Sequence, residues 1–245
     1  MITSSVHLVH SSPPSPSEPP DPTDNPDTPE RLPWVEALHG PESRAGSAAL
    51  GQAWEDLVRG GLRPLRETIT PASVCLAAHV VDRPCGLRPE DAAIVASVLR
   101  GEPRKAIAAE YGIALSTATA RFLRALAKLE LADRNVSLPL VLAAQCWAGA
   151  ARIPGARSAV FDYEGRPCLA LGVPRPVTSH LTSLTPVEQE IAQWLIEGLT
   201  RYEIADRRET SVYTVAGQCH AVFAALRVTG RYELIRRAVD LGCFP

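Results

Sequence analysis

The sequence predicts a mostly α-helical fold made of two tandem units. Each unit holds an opening helix, a small β-hairpin and a four-helix block. Three observations predict it: an internal repeat that runs through most of the chain, apolar residues at helical spacing between capping signals, and a proline-dense stretch ahead of the repeats. The chain has 245 residues, 46% of them apolar, enough for one or two domains with a real core.

Residues 1–33 carry nine of the 22 prolines, together with Ser, Asp and Glu. Such a stretch buries too little apolar surface to offset its ordering entropy. The sequence therefore predicts a disordered Pro/Ser-rich tail over 1–43. Trp34, Val35 and Leu38 are read either as a short docking patch or, the plainer reading, as a solvated linker end.

The repeat begins after the tail. Gln52, Trp54 and Arg59 recur as Gln145, Trp147 and Arg152, and Cys75-Leu76-Ala77 recurs as Cys168-Leu169-Ala170, all at an offset of 93. The offset then becomes 97. Leu87, Pro89, Ile94, Gly101, Arg104, Ile107, Ala108, Thr117, Ala127 and Leu129 match Leu184, Pro186, Ile191, Gly198, Arg201, Ile204, Ala205, Thr214, Ala224 and Leu226. Ordinary composition would give about three identities over that span. A fixed period of this kind means repeated architecture. The first unit is placed at 44–144 and the second at 138–245, with a helix over 138–151 closing one and opening the other.

The opening helices fall on 48–59 and 138–151. Hairpins follow, with strands over 65–70 and 74–81 in the first unit and over 158–161 and 167–173 in the second, the latter around the turn Asp162-Tyr163-Glu164-Gly165. These hairpins either cap the helices, the plainer reading, or host a ligand.

In the second unit Thr185 is placed to cap a helix, Pro186 suits its first position and Glu188 completes a capping box. Ile191, Trp194 and Leu195 recur at helical spacing, and Gly198 ends the helix. Thr200 caps a short helix with Ile204 and Ala205. Ser211 starts another, with Val215, Cys219, Val222 and Leu226 on one face. A last helix covers 232–241. A short helix, a tight turn and a second helix with a polar face make a helix-turn-helix, whose second helix can enter a major groove.

The stretch LTPVEQEIAQWLIEGLTRYEIADRRETSVYTV, from Leu184, resembles the LuxR/GerE-type helix-turn-helix of bacterial transcription regulators. LRPEDAAIVASVLRGEPRKAIAAEYGIALSTAT, from Leu87, looks like a second copy. The resemblance covers 87–144 and 184–242. It implies two four-helix DNA-binding units, often dimeric through the last helix. No phosphoacceptor or autoinducer-binding domain of the usual kind fits into 1–86.

Charge separates the copies. Residues 87–131 carry seven basic and five acidic residues, whereas 184–228 carry four basic and six acidic. Affinity for DNA comes largely from phosphate neutralisation by Lys and Arg. The first copy is therefore expected to read DNA, through Lys105, Ser116, Thr117, Thr119, Arg121, Arg124 and Lys128. The second is expected to be degenerate or used for pairing, with Tyr213, Thr214, Gln218 and His220 as a weaker set of contacts. Glu209 stands where the first copy has Gly112, a site needing positive φ. With Arg208 and Thr210 at core-like sites, this predicts a remodelled turn in the second copy.

Other classes fare worse. No GxxxxGK[ST], HExxH or GxSxG occurs, and an enzyme is not expected. Six cysteines without a CxxC pair predict reduced thiols and no metal site. No cofactor is expected. The start lacks a signal-peptide pattern and the longest apolar run is too short to cross a bilayer, so a cytoplasmic protein with no membrane partner is expected. The expected partners are double-stranded DNA, a second copy or an intramolecular pseudo-dimer, and RNA polymerase. The rival reading is a protein–protein adaptor whose helix-turn-helix folds no longer bind DNA, which the overall charge of −2 favours.

Overall fold

The computed structural model describes residues 32–82, 86–131, 136–147, 149 and 151–245. Of the tail expected over 1–43, residues 1–31 lie outside them, and the described remainder holds the helix Pro33–His39. The described chain runs α1 (Pro33–His39), β1 (Arg44–Ala45), α2 (Ser47–Val58), β2 (Leu62–Ile69), β3 (Ser73–Val80), α3 (Pro89–Leu99), α4 (Arg104–Glu110), α5 (Leu115–Lys128), α6 (Leu138–Trp147), β4 (Arg157–Tyr163), β5 (Arg166–Pro174), a 3-10 turn (Thr178–His180), α7 (Pro186–Glu197), α8 (Arg201–Arg207), α9 (Val212–Leu226) and α10 (Arg231–Asp240).

The two hairpins do not stand apart as the sequence suggested. They join into one five-stranded antiparallel sheet of order β1-β4-β5-β3-β2. The seam is β3 against β5, where Cys75 faces Gly172, Leu76 faces Leu171 and Ala77 faces Ala170. Ala170 is Ala77 displaced by 93 residues. The repeat equivalents of Leu76 and Ala78 are Leu169 and Leu171. Leu76 pairs with Leu171 and Ala78 with Leu169, so the pairing maps onto itself under the repeat. An approximate two-fold axis thus passes between Ala77 and Ala170. The helices obey it too: α2 and α6, the two opening helices, pack against each other.

Alternation along the strands divides the side chains between two layers. Val74, Leu76, Ala78, Leu171 and Val173 face the main core, which holds the buried faces of the helices on that side. Cys75, Ala77 and Ala170 face the other way, onto α1. Trp34, Val35 and Leu38 of α1 are each 3% exposed, so they form a docked patch and not a solvated linker end. Trp34 Nε1 donates to Thr68 Oγ1 at 3.3 Å, and its ring meets Tyr163 edge-on at 6.0 Å. Gly172 leaves room for this layer, because a Cβ there would come within 2.8 Å of Leu38 Cδ1. Among the described residues α1 has no symmetry mate.

Among the described residues no helix is long and apolar enough to cross a membrane. The described cysteines are all free, and no group of three or more His, Cys, Asp or Glu side chains among the described residues could hold a metal. Burial pushes the Cys146 and Cys243 thiols up to about 11, which leaves both protonated and poorly nucleophilic at neutral pH.

Candidate nucleic-acid interface

Three helices in the first half match three in the second one for one at an offset of 97. Pro89, Arg104 and Leu115 begin α3, α4 and α5; Pro186, Arg201 and Val212 begin α7, α8 and α9. Packing explains the register. Ala118, Phe122 and Ala125 are buried on α5, and their counterparts Val215, Cys219 and Val222 are buried on α9. Each large apolar side chain so buried contributes about 1.5–3 kcal/mol.

The turn between the paired helices is the same in both units. Gly112 has φ 61° and Glu209 has φ 51°. Ile113 N–H donates to Ala108 O at 2.9 Å, and Thr210 N–H donates to Ala205 O at 3.0 Å. This corrects the expectation of a remodelled turn. The backbone hydrogen bonds hold the loop, and Glu209 accepts a left-handed conformation that costs a non-glycine residue about 1–2 kcal/mol.

Capping separates the units instead. In the second, Thr185 with Glu188 and Thr200 with Glu203 form two complete capping boxes, and Ser211 Oγ accepts from Thr214 N–H. In the first, the residues before α3, α4 and α5 are Arg88, Pro103 and Ala114, and none makes a side-chain cap. Hydrogen bonds from the backbone and hydroxyl of Thr185 hold the Glu188 carboxyl below its ordinary value, and Thr200 does the same for Glu203.

The residues singled out on the first unit differ in exposure and in partners. Ser116 and Thr117 are exposed at the start of α5, and Lys105 is exposed at the start of α4. Thr119 is half-buried and shares a crevice with Lys105 and with Thr229–Glu233 at the start of α10. Arg121 does not point freely outward. Its Nε donates to Asp91 Oδ1 at 2.7 Å and its Nη2 to Glu90 Oε2 at 3.0 Å. Both carboxylates lie on α3, and they raise the guanidinium pKa above its already high value. Only 19% of the Arg121 side chain is exposed. Arg124 is exposed, with Nε on Ala120 O of its own helix. Lys128 donates to Gly86 O at 2.7 Å.

On the second unit Tyr213 is 91% exposed at the start of α9, and Thr214 and His220 are exposed beside it. Gln218, the counterpart of Arg121, is half-buried and accepts from Arg208 Nη1 at 3.4 Å. Two residues escaped the sequence reading. Tyr202, 74% exposed, and Arg201 open α8 on the same unit. A signal existed, since Tyr202 aligns with Lys105.

The two-fold relation extends to these units. A Cβ on Gly101, at the end of α3, would lie 2.8 Å from Glu233 Cα. Gly198, its counterpart after α7, lines a crevice with Val136, the counterpart of Glu233. Arg231 binds the halves together, donating to Val136 O at 2.6 Å, Leu195 O at 2.9 Å and Ile196 O at 2.9 Å. Each three-helix block thus lies against the chain segment that leads out of the other.

No curated protein and no solved structure matches the chain. A family model, that of bacterial regulatory proteins of the luxR family, matches residues 182–238, which hold α7, α8, α9 and most of α10. Over those residues the chain carries a luxR-family helix-turn-helix, a DNA-binding regulatory domain.

Proposed function

We propose that the protein is a cytoplasmic transcription regulator that presents two helix-turn-helix units to duplex DNA from a single chain. The observation that carries this reading is the luxR-family match over a segment whose α9 leaves Tyr213 and Thr214 open at its start. A recognition helix reads base edges with the residues of its first turns. Tyr213, Thr214, Gln218 and His220 supply hydrogen-bonding groups there.

The division of labour runs opposite to the one expected from charge. The second unit makes the base contacts. The first contributes Lys105, Ser116, Thr117, Arg124 and Lys128, chiefly to phosphates. Two facts support this: the family match falls on the second unit, and the guanidinium of Arg121 is already engaged by Asp91 and Glu90. The approximate two-fold axis through one chain supports a pseudo-dimer that needs no second copy, and a target whose two half-sites differ. On a promoter such a complex meets RNA polymerase.

The test is selection of bound sequences from random duplexes, followed by mobility shift across a salt series. Neutralising several phosphates predicts an affinity that falls steeply as salt rises. A salt-independent or absent response would favour the adaptor reading.

A further inference from the structure

Five carboxylates precede the described chain at a fixed interval. Glu18, Asp21, Asp24, Asp27 and Glu30 stand three residues apart, with five prolines among them and Arg31 as the one cation of 18–31. The polyproline II helix that proline favours has three residues per turn and rises about 3.1 Å per residue. In that geometry a period of three puts all five carboxylates on one edge, about 9 Å apart. Residues 18–32 would then span about 43 Å.

The described chain starts beside a track of cations. Trp34 Nε1 donates to Thr68 Oγ1, so the start of α1 meets β2 at Thr68. Arg66 is two residues from Thr68 on the same side of the sheet, since their partners Ala77 and Cys75 both face α1. Arg63, opposite His79, lies on that side too. Arg63 and Lys128 line one crevice, and Lys128, Arg124 and Arg88 line the next. All five cations are exposed. The strand from Thr68 to Arg63 covers about 17 Å and the turn of α5 from Lys128 to Arg124 about 6 Å, so residues 18–32 are long enough to follow the track.

These cations lack carboxylates of their own. Glu90 and Asp91, which line the α3–α5 crevice, are both spent on Arg121. Among the described residues Arg66 and Arg88 have no carboxylate partner, and Arg124 and Lys128 donate to the backbone oxygens of Ala120 and Gly86. Arg63 meets Glu130 at 3.1 Å, but both side chains are more than half exposed, and such a pair contributes little. The second half has Ala159, Thr185, Ala221 and Ala225 where the first has Arg66, Arg88, Arg124 and Lys128, so the track has no twin there.

We infer that residues 18–30 dock on this track of their own chain, with the carboxylate edge against Arg66, Arg63, Lys128, Arg124 and Arg88 and with Glu30 nearest α1. A tether raises the effective concentration of the tail to the order of millimolar, so several weak exposed pairs hold it together. The docked tail covers Arg124 and Lys128 and closes them to phosphate. That consequence rests on the function proposed above; the docking itself does not.

The chain has two lysines, Lys105 and Lys128, and both are exposed. Carbodiimide coupling of the full chain, read by mass spectrometry, therefore reports where the carboxylates lie. Amide links from residues 18–30 to Lys128 should outnumber those to Lys105 about fivefold at low salt and fade at high salt, because exposed charges are screened. In a mixture of isotope-labelled and unlabelled chains, each link should stay within one isotope. A tail of the same composition, reordered so that its carboxylates no longer fall at every third residue, should couple to Lys128 about threefold less. Its substitutions lie outside the packed core and spare the fold. Equal coupling to both lysines, links that cross between isotopes, or undiminished coupling of the reordered tail overturns the inference. The reordered tail, equal in charge, then reads the regulation in a mobility shift. Duplex binding about threefold tighter supports it, and unaltered affinity beside intact Lys128 links in the parent chain confines the failure to the regulatory step.

Discussion

Arg121 Nε donates to Asp91 Oδ1 at 2.7 Å, and this pair joins α5 to α3. A guanidinium held by two carboxylates is a structural group before it is a reading group. Arg121→Ala should lower stability by about 1 kcal/mol, the scale of a half-exposed charged pair, and should weaken DNA binding less than Gln218→Ala does. Denaturant titration and mobility shift on the same two variants check both halves. A larger DNA defect in Arg121→Ala returns the reading role to the first unit.

Tyr213→Ala removes a side chain of α9 that is 91% exposed. If it meets a base or phosphate, affinity for the selected sequence should fall about tenfold, in line with 1–3 kcal/mol for a specific contact. Stability should stay within about 0.5 kcal/mol, as befits a surface change. Unchanged affinity removes Tyr213 from the interface.

The matched turns offer a reciprocal experiment on backbone strain. Glu209 and Gly112 share a left-handed conformation, and nothing lies within 4 Å of a Cβ at Gly112. Strain therefore dominates there and crowding does not. Glu209→Gly should stabilise the protein by about 1 kcal/mol, and Gly112→Ala should destabilise it by about the same amount. Thermal unfolding midpoints should move in opposite directions.

The capping boxes give the second unit a pH signature. Glu188 and Glu203 titrate below their ordinary value of 4.5 in the folded chain. Unfolding then takes up protons in acid. The stabilisation is complete above the unfolded value and disappears as pH falls through the lower folded values. Glu188→Gln with Glu203→Gln should flatten the acid limb of a stability-against-pH curve and lower stability at pH 7. A curve of unchanged shape would falsify the assignment of these caps.

Trp34→Ala tests the layer behind the sheet. Removing a side chain that is 3% exposed should cost about 3 kcal/mol and release α1, raising proteolysis near residue 40. Cleavage and stability that match the parent chain would mean that α1 docks loosely.

Much of this was legible in the chain, for local reasons. Thr185, Pro186, Glu188 and Gly198 announce α7 because caps act within one turn. The 97-residue offset aligns helix starts because the same buried positions recur. The sheet was not legible, since nothing local says that one hairpin will pair with the other. The identity of Cys75-Leu76-Ala77 with Cys168-Leu169-Ala170 was visible as repetition, but not as a seam. The engagement of Arg121 was hidden for a related reason: net charge sees only a cation on α5, while Asp91 lies 30 residues away and meets it only in the folded chain. Glu209 misled because the turn keeps its shape through backbone bonds that no side chain reports.

The Ala77–Ala170 seam has an evolutionary reach. In an assembly of identical subunits every substitution is made twice, so neither half can specialise alone. Here the halves are covalently joined and separately encoded. Capping boxes stand in one half only and Arg121 is tied down in the other, so a change in either half forces no matching change across the seam.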